Sequence, residues 1–184
     1  MTIACLGWGS LIWHPSTLPF KGKWFEDGPF LPIEFARESG GHRITLVISP
    51  GSQMVRSLWT LLSSANASEA KQALASREGT SVDNIGIWER GAKCDEADIV
   101  LTQISQWALQ RGLDAVLWTA LQPGFKQARG TTPKVEEVIK YLNDLTARER
   151  KDAELYIRMT PRQITTDYRQ KIEKTFDWTP YVNT

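Results

Sequence analysis

The sequence predicts an α+β fold, in which strands dominate the early part of the chain and helices the late part. Segments with alternating or continuous apolar residues come first, and apolar stripes with helical spacing follow them. One further apolar segment, Asp114–Leu121, predicts a buried strand late in the chain. Strands grouped before helices in this way are typical of α+β proteins.

Glycine and proline residues separate the predicted strands. The apolar run Thr2–Leu6 leads directly into Gly7, and Gly40 and Gly41 join the second strand to the third. Residues 13–32 contain four prolines and predict a loop, because proline supplies no N–H group to a sheet. The predicted strands are Thr2–Leu6, Ile33–Glu38, His42–Ser49, Met54–Leu62, Ile85–Glu89 and Asp114–Leu121.

Two helices are predicted between the later strands, and each ends at a glycine, the residue that most readily adopts the left-handed conformation of a helix terminus. The first covers Ser68–Arg77 and ends at Gly79, and the second ends at Gly112. The apolar stripe of the second helix consists of Val100, Ile104, Trp107 and Ala108.

The end of the chain predicts three more helices. Pro133 fits the first position of a helix capped by Thr132. Thr146 and Glu149 have the spacing of a capping box for a second helix, which Pro161 ends. The last helix covers Thr166–Lys174, and the core face of the first consists of Val135, Val138, Ile139, Leu142 and Leu145.

The composition fits one globular domain and argues against several classes of protein. The 184 residues carry a net charge of only +1, which disfavours a nucleic-acid binder that works by neutralising phosphates. No run approaches the ~18 apolar residues of a membrane span, and the apolar start has no basic leader of a secretory signal. Cys5 and Cys94 are expected to be reduced thiols, so the sequence predicts a cytoplasmic protein.

The loop Gly7-Trp8-Gly9-Ser10-Leu11 directly follows the first strand and is a candidate anion-binding site. Glycines allow neighbouring backbone N–H groups to point together, and Ser10 adds a hydroxyl group. The alternative interpretation is a plain tight turn. The loop matches neither the Walker nor the dinucleotide-binding fingerprint.

Glu78 is the second candidate, because it stands at the end of the short helix, directly before Gly79. A glutamate that is shielded from water can serve as a general acid or base. The alternative is a solvated surface glutamate.

His14 and His42 are the only histidines, which leaves little for a histidine metal site or a serine hydrolase triad.

Together these motifs resemble the γ-glutamylcyclotransferase family. Its members begin with a strand that ends in a Tyr-Gly-Ser-Asn/Leu loop, and Trp8-Gly9-Ser10-Leu11 stands at that place. The strand VRSLWTLL and the following ALASREG are similar to the family's valine- and tryptophan-rich strand and its catalytic Glu-Gly pair. A fainter similarity runs through Pro123-Gly124-Phe125, Gly130 and Pro133.

The resemblance implies a mixed β-barrel or sheet surrounded by helices, covering residues 3–145 of one domain, with 146–184 as a helical C-terminal extension. It assigns the proton transfer to Glu78 and implies no metal or cofactor. The substrate would be a small γ-glutamyl compound, cyclised to 5-oxoproline with release of an amine, as in glutathione metabolism. The residues implied in substrate binding are Trp8, Gly9, Ser10, Leu11, Ile12 and Phe125.

Three positions depart from the family pattern. Trp8 and Phe125 stand where tyrosines are common in the family. Ile85 or Trp88 stands near the position of a third tyrosine of the family, so several hydroxyl groups are missing from this chain. An alternative function is therefore a non-catalytic protein of the same fold that binds a small anion or a partner protein. A purely structural interaction protein would instead display Trp8 and Trp13 in a flat exposed patch. Whether the chain forms a homodimer stays open.

Overall fold

A computed structural model describes residues 1–93 and 95–181 of the chain. The thiol expected at Cys94 therefore lies outside the described residues, as do the last three residues of the predicted extension. The strands are β1 (Ile3–Gly7), β2 (Phe20–Phe25), β3 (Phe30–Glu38), β4 (Ile44–Ile48), β5 (Met54–Arg56), β6 (Leu58–Leu62), β7 (Ile85–Glu89) and β8 (Ala115–Thr119). The helices are α1 (Ala67–Glu78), α2 (Ile99–Gln110), α3 (Val135–Asp144), α4 (Ala147–Met159) and α5 (Asp167–Phe176).

The two sheets and the helices of the described residues confirm the predicted α+β class. Strands β1, β7 and β8 agree with the predicted strands to within one or two residues. None of the helices described in the structure is both long and apolar enough to cross a membrane.

The chain forms two compact units, each assembled from separate segments. The first unit contains residues 1–7, 14–31 and 56–121, and the second contains residues 8–13, 32–55 and 122–184.

The first unit contains a five-stranded sheet in the order β2-β6-β1-β8-β7. Its central strand β1 pairs antiparallel with β6 and parallel with β8, and all five of its residues are buried. A strand that is covered on both faces consists of consecutive apolar residues. This is why the sequence IACLG predicted a buried strand.

Strand β2 corrects the prediction that residues 13–32 are mostly loop. It lies between Pro19 and Pro29 and forms the edge of the sheet, where a flanking proline removes no required hydrogen bond. Its pairing with β6 shifts register between Lys21 and Phe25, and Gly22 has a φ of 78°. This irregularity breaks the period of two, so the sequence carries no clear strand signal there.

The predicted strand Met54–Leu62 is two strands, β5 and β6, which belong to different sheets. The break falls at Ser57, which is fully buried. Its amide and its hydroxyl both donate to the carbonyl oxygen of Pro29, at 3.1 and 2.8 Å. Both donors of Ser57 therefore bind Pro29, and the chain does not continue as one strand through this residue.

The second unit is built around a three-stranded sheet in the order β4-β3-β5. Strands β3 and β4 are antiparallel, as the two-glycine connection predicted, and a short 3-10 turn at Gly40–His42 lies between them. Strand β3 begins earlier than expected and includes Pro32, whose carbonyl oxygen accepts the amide of Ser49 at 2.7 Å.

Helix α3 begins two residues later than predicted, because the expected cap has other partners. Lys134 occupies the N-cap position, and its amide donates to the Glu137 carboxylate at 2.6 Å. The hydroxyl of Thr132 instead shares a hydrogen bond with that of Ser49 at 3.0 Å, and the carbonyl of Pro133 accepts the Tyr168 hydroxyl at 2.7 Å. On the predicted core face, Val138 and Leu142 are fully buried and the other three residues are half-buried.

The other late helices follow their local signals. Thr146 and Glu149 form the predicted capping box at the start of α4, which ends before Pro161. Thr166 caps α5, and its hydroxyl also donates to the buried carboxylate of Glu34 on β3. Helices α4 and α5 thus belong to the second unit.

Candidate functional site

Glu78 is the last residue of α1, and its carboxylate is largely shielded from water. Asn66 caps the start of this helix, and Gly79 ends it with a φ of 61°. The Glu78 side chain is 17% exposed, and its Oε1 accepts a hydrogen bond from Nη1 of Arg77 at 2.5 Å. Arg77 is only 6% exposed, so this ion pair is nearly enclosed. Glu78 is therefore not a fully solvated surface residue.

Arg77 also binds the backbone of the segment that follows the candidate loop. Nη2 and Nε of Arg77 donate to the carbonyl oxygen of His14, at 2.5 and 3.2 Å. On β1, burial raises the pKa of the Cys5 thiol, the charge of Glu78 raises it further and the charge of Arg77 lowers it. The segment that follows the loop therefore contacts the end of α1 within the first unit.

The loop Trp8–Trp13 belongs to the second unit, where its first residue anchors it. Trp8 is buried, and its Nε1 donates to the carbonyl oxygen of Leu46 on β4 at 3.2 Å. The amide of Ile12 donates to the carbonyl oxygen of Gly9 at 3.0 Å and closes a turn. One of the amides expected to bind an anion is thus engaged within the loop.

The remaining predicted loop residues differ in burial. Leu11 is only 4% exposed, so little of this residue is open to a ligand. Ser10 is half-buried and faces a cavity. Binding of a ligand by these residues stays a prediction.

Tyr156 on α4 places its hydroxyl against Gly9. A Cβ atom at Gly9 would lie 2.4 Å from this oxygen, so only glycine fits beside it. The amide of Leu46 donates to the same hydroxyl at 3.3 Å, and the ring of Trp13 packs edge-on at 5.5 Å between centroids. Tyr156 therefore supplies a hydroxyl group beside a loop in which Trp8 replaces the tyrosine of the resembled family.

Ser10 and Trp13 line a cavity of about 180 Å³ in the second unit. Its other walls come from Gly41 and Arg43 near the 3-10 turn and from one face of α4. Trp13 therefore lines a pocket. With Trp8 only 5% exposed, the two side chains do not form the flat exposed patch of a structural interaction protein.

Phe125, the last predicted binding residue, packs against Tyr141 of α3, with 5.4 Å between the ring centroids. The Tyr141 hydroxyl donates to Oε1 of Glu38 at 3.2 Å, and the amide of Lys126 donates to Oε2 at 3.0 Å. Burial alone raises the pKa of the Glu38 carboxyl, but these two donors and the charge of Lys126 outweigh it and leave the pKa below its ordinary value. Burial and the nearby Glu38 carboxylate raise the pKa of Tyr141.

Arg77, Tyr156 and Glu38 were not among the predicted site residues. Arg77 was visible next to Glu78, but nothing local shows that it binds a backbone carbonyl 63 residues earlier. Tyr156 belongs to the buried stripe Ala153-Tyr156-Ile157 of α4, a pattern that predicts burial without naming a partner. Its hydrogen bond to the amide of Leu46 spans 110 residues of sequence.

The chemistry available here is proton transfer by a carboxylate. Glu78 can accept a proton and return it, and Arg77 orients one of its oxygens. Over residues 1–93 and 95–181, no group of three histidine, cysteine, aspartate or glutamate side chains could hold a metal ion.

Among solved structures, the chain is similar to the crystal structure of a yeast γ-glutamylcyclotransferase specific to glutathione. The TM-score is 0.50 and the sequence identity is 14%, and the similarity covers 96% of this chain and 98% of that chain. No protein-family model matches the sequence, and no curated protein matches it. The chain thus has the γ-glutamylcyclotransferase-like fold that its motifs predicted, and at this identity the likeness concerns the fold alone.

Proposed function

We propose that this protein is a γ-glutamylcyclotransferase, which cyclises a small γ-glutamyl amine or amide and releases 5-oxoproline and an amine. The observation that carries the proposal is the position of Glu78. Its shielded carboxylate is paired with Arg77, which also binds the carbonyl oxygen of His14 in the segment that follows the Gly9-Ser10 loop. The fold and the motifs WGSL and ALASREG support the same reaction.

In the proposed reaction, backbone N–H groups of Gly9, Ser10 and Leu11 hold the α-carboxylate of the γ-glutamyl group, while the amide of Ile12 closes the turn of the loop. Trp8 and Phe125 contribute apolar lining. The free α-amine attacks the γ-carbonyl carbon and gives its proton to Glu78. The ring C–N bond forms, the γ-amide C–N bond breaks, and Glu78 returns the proton to the leaving nitrogen.

The reaction consumes no water and needs no metal or cofactor, because one amide bond replaces another. Positioning the amine against its own carbonyl supplies an entropic advantage, and proton transfer adds about 10²–10⁴ in rate. We propose a cytoplasmic setting, with glutathione as the first substrate to test because the similar yeast protein is specific to it.

The test is Glu78→Gln, which keeps the shape of the side chain but cannot exchange the proton. We expect ligand affinity to persist and turnover to fall by about 10² or more. Release of 5-oxoproline from glutathione and a panel of other γ-glutamyl amines measures the effect. The matched control is Glu89→Gln, an exposed glutamate at the end of β7, which should leave turnover unchanged.

The alternative is a non-catalytic protein of the same fold that binds a small anion or a partner. The Arg77–Glu78 ion pair favours it in one respect, since a carboxylate held by an arginine can be purely structural. Turnover that survives Glu78→Gln would refute the catalytic assignment. Binding of γ-glutamyl compounds without turnover by the wild-type protein would support the alternative.

A further inference from the structure

The cavity of the second unit carries two opposite charges that do not neutralise each other. Arg43 and Asp152 both line it, and within the described ranges neither side chain forms an ion pair. Nε of Arg43 donates to the carbonyl oxygen of Gly40 at 3.1 Å, which fixes the guanidinium group without satisfying its charge. A cation and an anion that line one cavity without pairing match a ligand that bears both charges.

The rest of the cavity wall is aromatic and aliphatic. Trp13 and Tyr156 pack edge-on against each other, and the guanidinium carbon of Arg43 lies 5.9 Å from the centre of the Tyr156 ring. Leu155 also lines the cavity and is 51% exposed. These side chains offer apolar contact between the two charges.

The size of the cavity restricts the ligand. Its volume of about 180 Å³ is well below the ~300–1,000 Å³ of pockets for drug-sized molecules. A small molecule with two charged groups and a short apolar side chain fits both the volume and the wall.

We propose that this cavity is a binding site for a free α-amino acid. The guanidinium of Arg43 binds the α-carboxylate, which it can hold through two parallel hydrogen bonds. The carboxylate of Asp152 binds the α-ammonium group, and the amino-acid side chain packs against Trp13 and Leu155. The cavity shares Ser10 with the loop of the proposed cyclisation, but the site goes beyond that reaction, does not use Glu78 and requires no turnover.

The test is isothermal titration of the full-length protein with L-alanine and L-leucine, without any γ-glutamyl compound. Two analogues of leucine isolate the charges: isopentylamine lacks the carboxylate, and 4-methylpentanoate lacks the ammonium group. We expect each analogue to bind at least about tenfold more weakly than L-leucine, because each forfeits a charge-assisted contact.

The variants Arg43→Gln and Asp152→Asn should each weaken binding of L-leucine by about tenfold or more. Arg148→Gln, an exposed arginine of α4 outside the cavity, is the matched control and should bind normally. Asp152 is exposed, so its variant keeps the fold even if Arg43→Gln lowers stability. The proposal is overturned if the wild type binds neither amino acid at millimolar concentration, if Asp152→Asn binds normally, or if a singly charged analogue binds as well as L-leucine.

Discussion

Gly9 is a residue whose identity follows from a single contact. Its φ is not positive, so the backbone conformation does not require glycine, but a Cβ atom would lie 2.4 Å from the Tyr156 hydroxyl oxygen. The next ring atom, Cζ, would lie at 3.5 Å, an ordinary contact. The conflict therefore depends on the hydroxyl group alone.

We expect Gly9→Ala to destabilise the protein by about 1–3 kcal/mol through this overlap. Tyr156→Phe should itself cost about 1 kcal/mol, because the amide of Leu46 loses its acceptor. In the Tyr156→Phe background, Gly9→Ala should cost less than about 1 kcal/mol. Denaturant unfolding of the four proteins gives the coupling energy. Additive effects would show that the loop does not rest on this hydroxyl.

Glu38 predicts a pH dependence of stability. Its side chain is 9% exposed, and its pKa is held below the ordinary value of 4.5. A carboxyl whose pKa is lowered by folding adds stability above its unfolded pKa, and this stability is lost as the pH falls through the folded pKa. The contribution of Glu38 should therefore be complete at neutral pH and disappear below about pH 4.5.

We expect Glu38→Gln to lower the free energy of unfolding by about 1–2 kcal/mol at pH 7, since Lys126 and Tyr141 lose a charged acceptor. The difference from wild type should shrink as the pH falls below about 4.5. Unfolding curves across this range, with exposed Glu89→Gln as control, measure it. A difference that stays constant with pH would mean that the carboxylate charge contributes nothing.

At the scale of single elements, α3 shows how an apolar stripe becomes a core face. Val138 and Leu142 are fully buried, whereas the neighbouring Asn143 is exposed. Leu142→Ala should destabilise the protein by about 2–5 kcal/mol, because it removes buried methyl groups and leaves a cavity. Asn143→Ala is the control and should change stability by less than about 0.5 kcal/mol. Similar values for both variants in denaturant unfolding would contradict the assigned face.

The starts of α3 and α4 show what a helix signal does and does not establish. The Thr146–Glu149 capping box lies within four residues, so its bonds form wherever the helix forms. Thr132 and Pro133 carry an equally plausible local signal. The Thr132 hydroxyl instead shares a hydrogen bond with Ser49, and the Pro133 carbonyl accepts one from Tyr168. The helix therefore begins at Val135.

For the whole molecule, the composition of the second unit makes a prediction about truncation. Helices α4 and α5 supply the Tyr156 hydroxyl at Gly9 and the Thr166 hydroxyl at the buried Glu34 carboxylate. Burial raises the pKa of Glu34, and its hydrogen bonds only partly offset this rise. Removing α5 and its Thr166 hydroxyl therefore leaves a buried carboxylate with fewer hydrogen-bond donors.

We therefore expect a chain ending at residue 145 to lose the ordered structure of the second unit. Proton–nitrogen NMR spectra should show a large loss of dispersed signals relative to the full chain, and proteolysis should cut within residues 32–55. A truncated chain that keeps its dispersion and resists proteolysis would instead support residues 146–184 as a dispensable extension.

The sequence by itself determined the features that depend on neighbours in the chain. The apolar runs of β1 and β8, the end of α1 at Gly79 and the capping box of α4 all rest on contacts within a few residues. The α+β class and the likeness of its fold followed from these elements and from the motifs around Ser10 and Glu78.

The tertiary structure alone decided the features that depend on distant partners. The break at Ser57 follows from the carbonyl of Pro29, and β2 exists because β6 offers it an edge. Tyr156 packs against Gly9 although more than a hundred residues separate them in the sequence. Arg77 likewise donates to the carbonyl oxygen of His14, which lies 63 residues earlier. Hydrogen bonds and packing between remote segments leave no periodic trace in either segment, which is why only the folded chain reveals them.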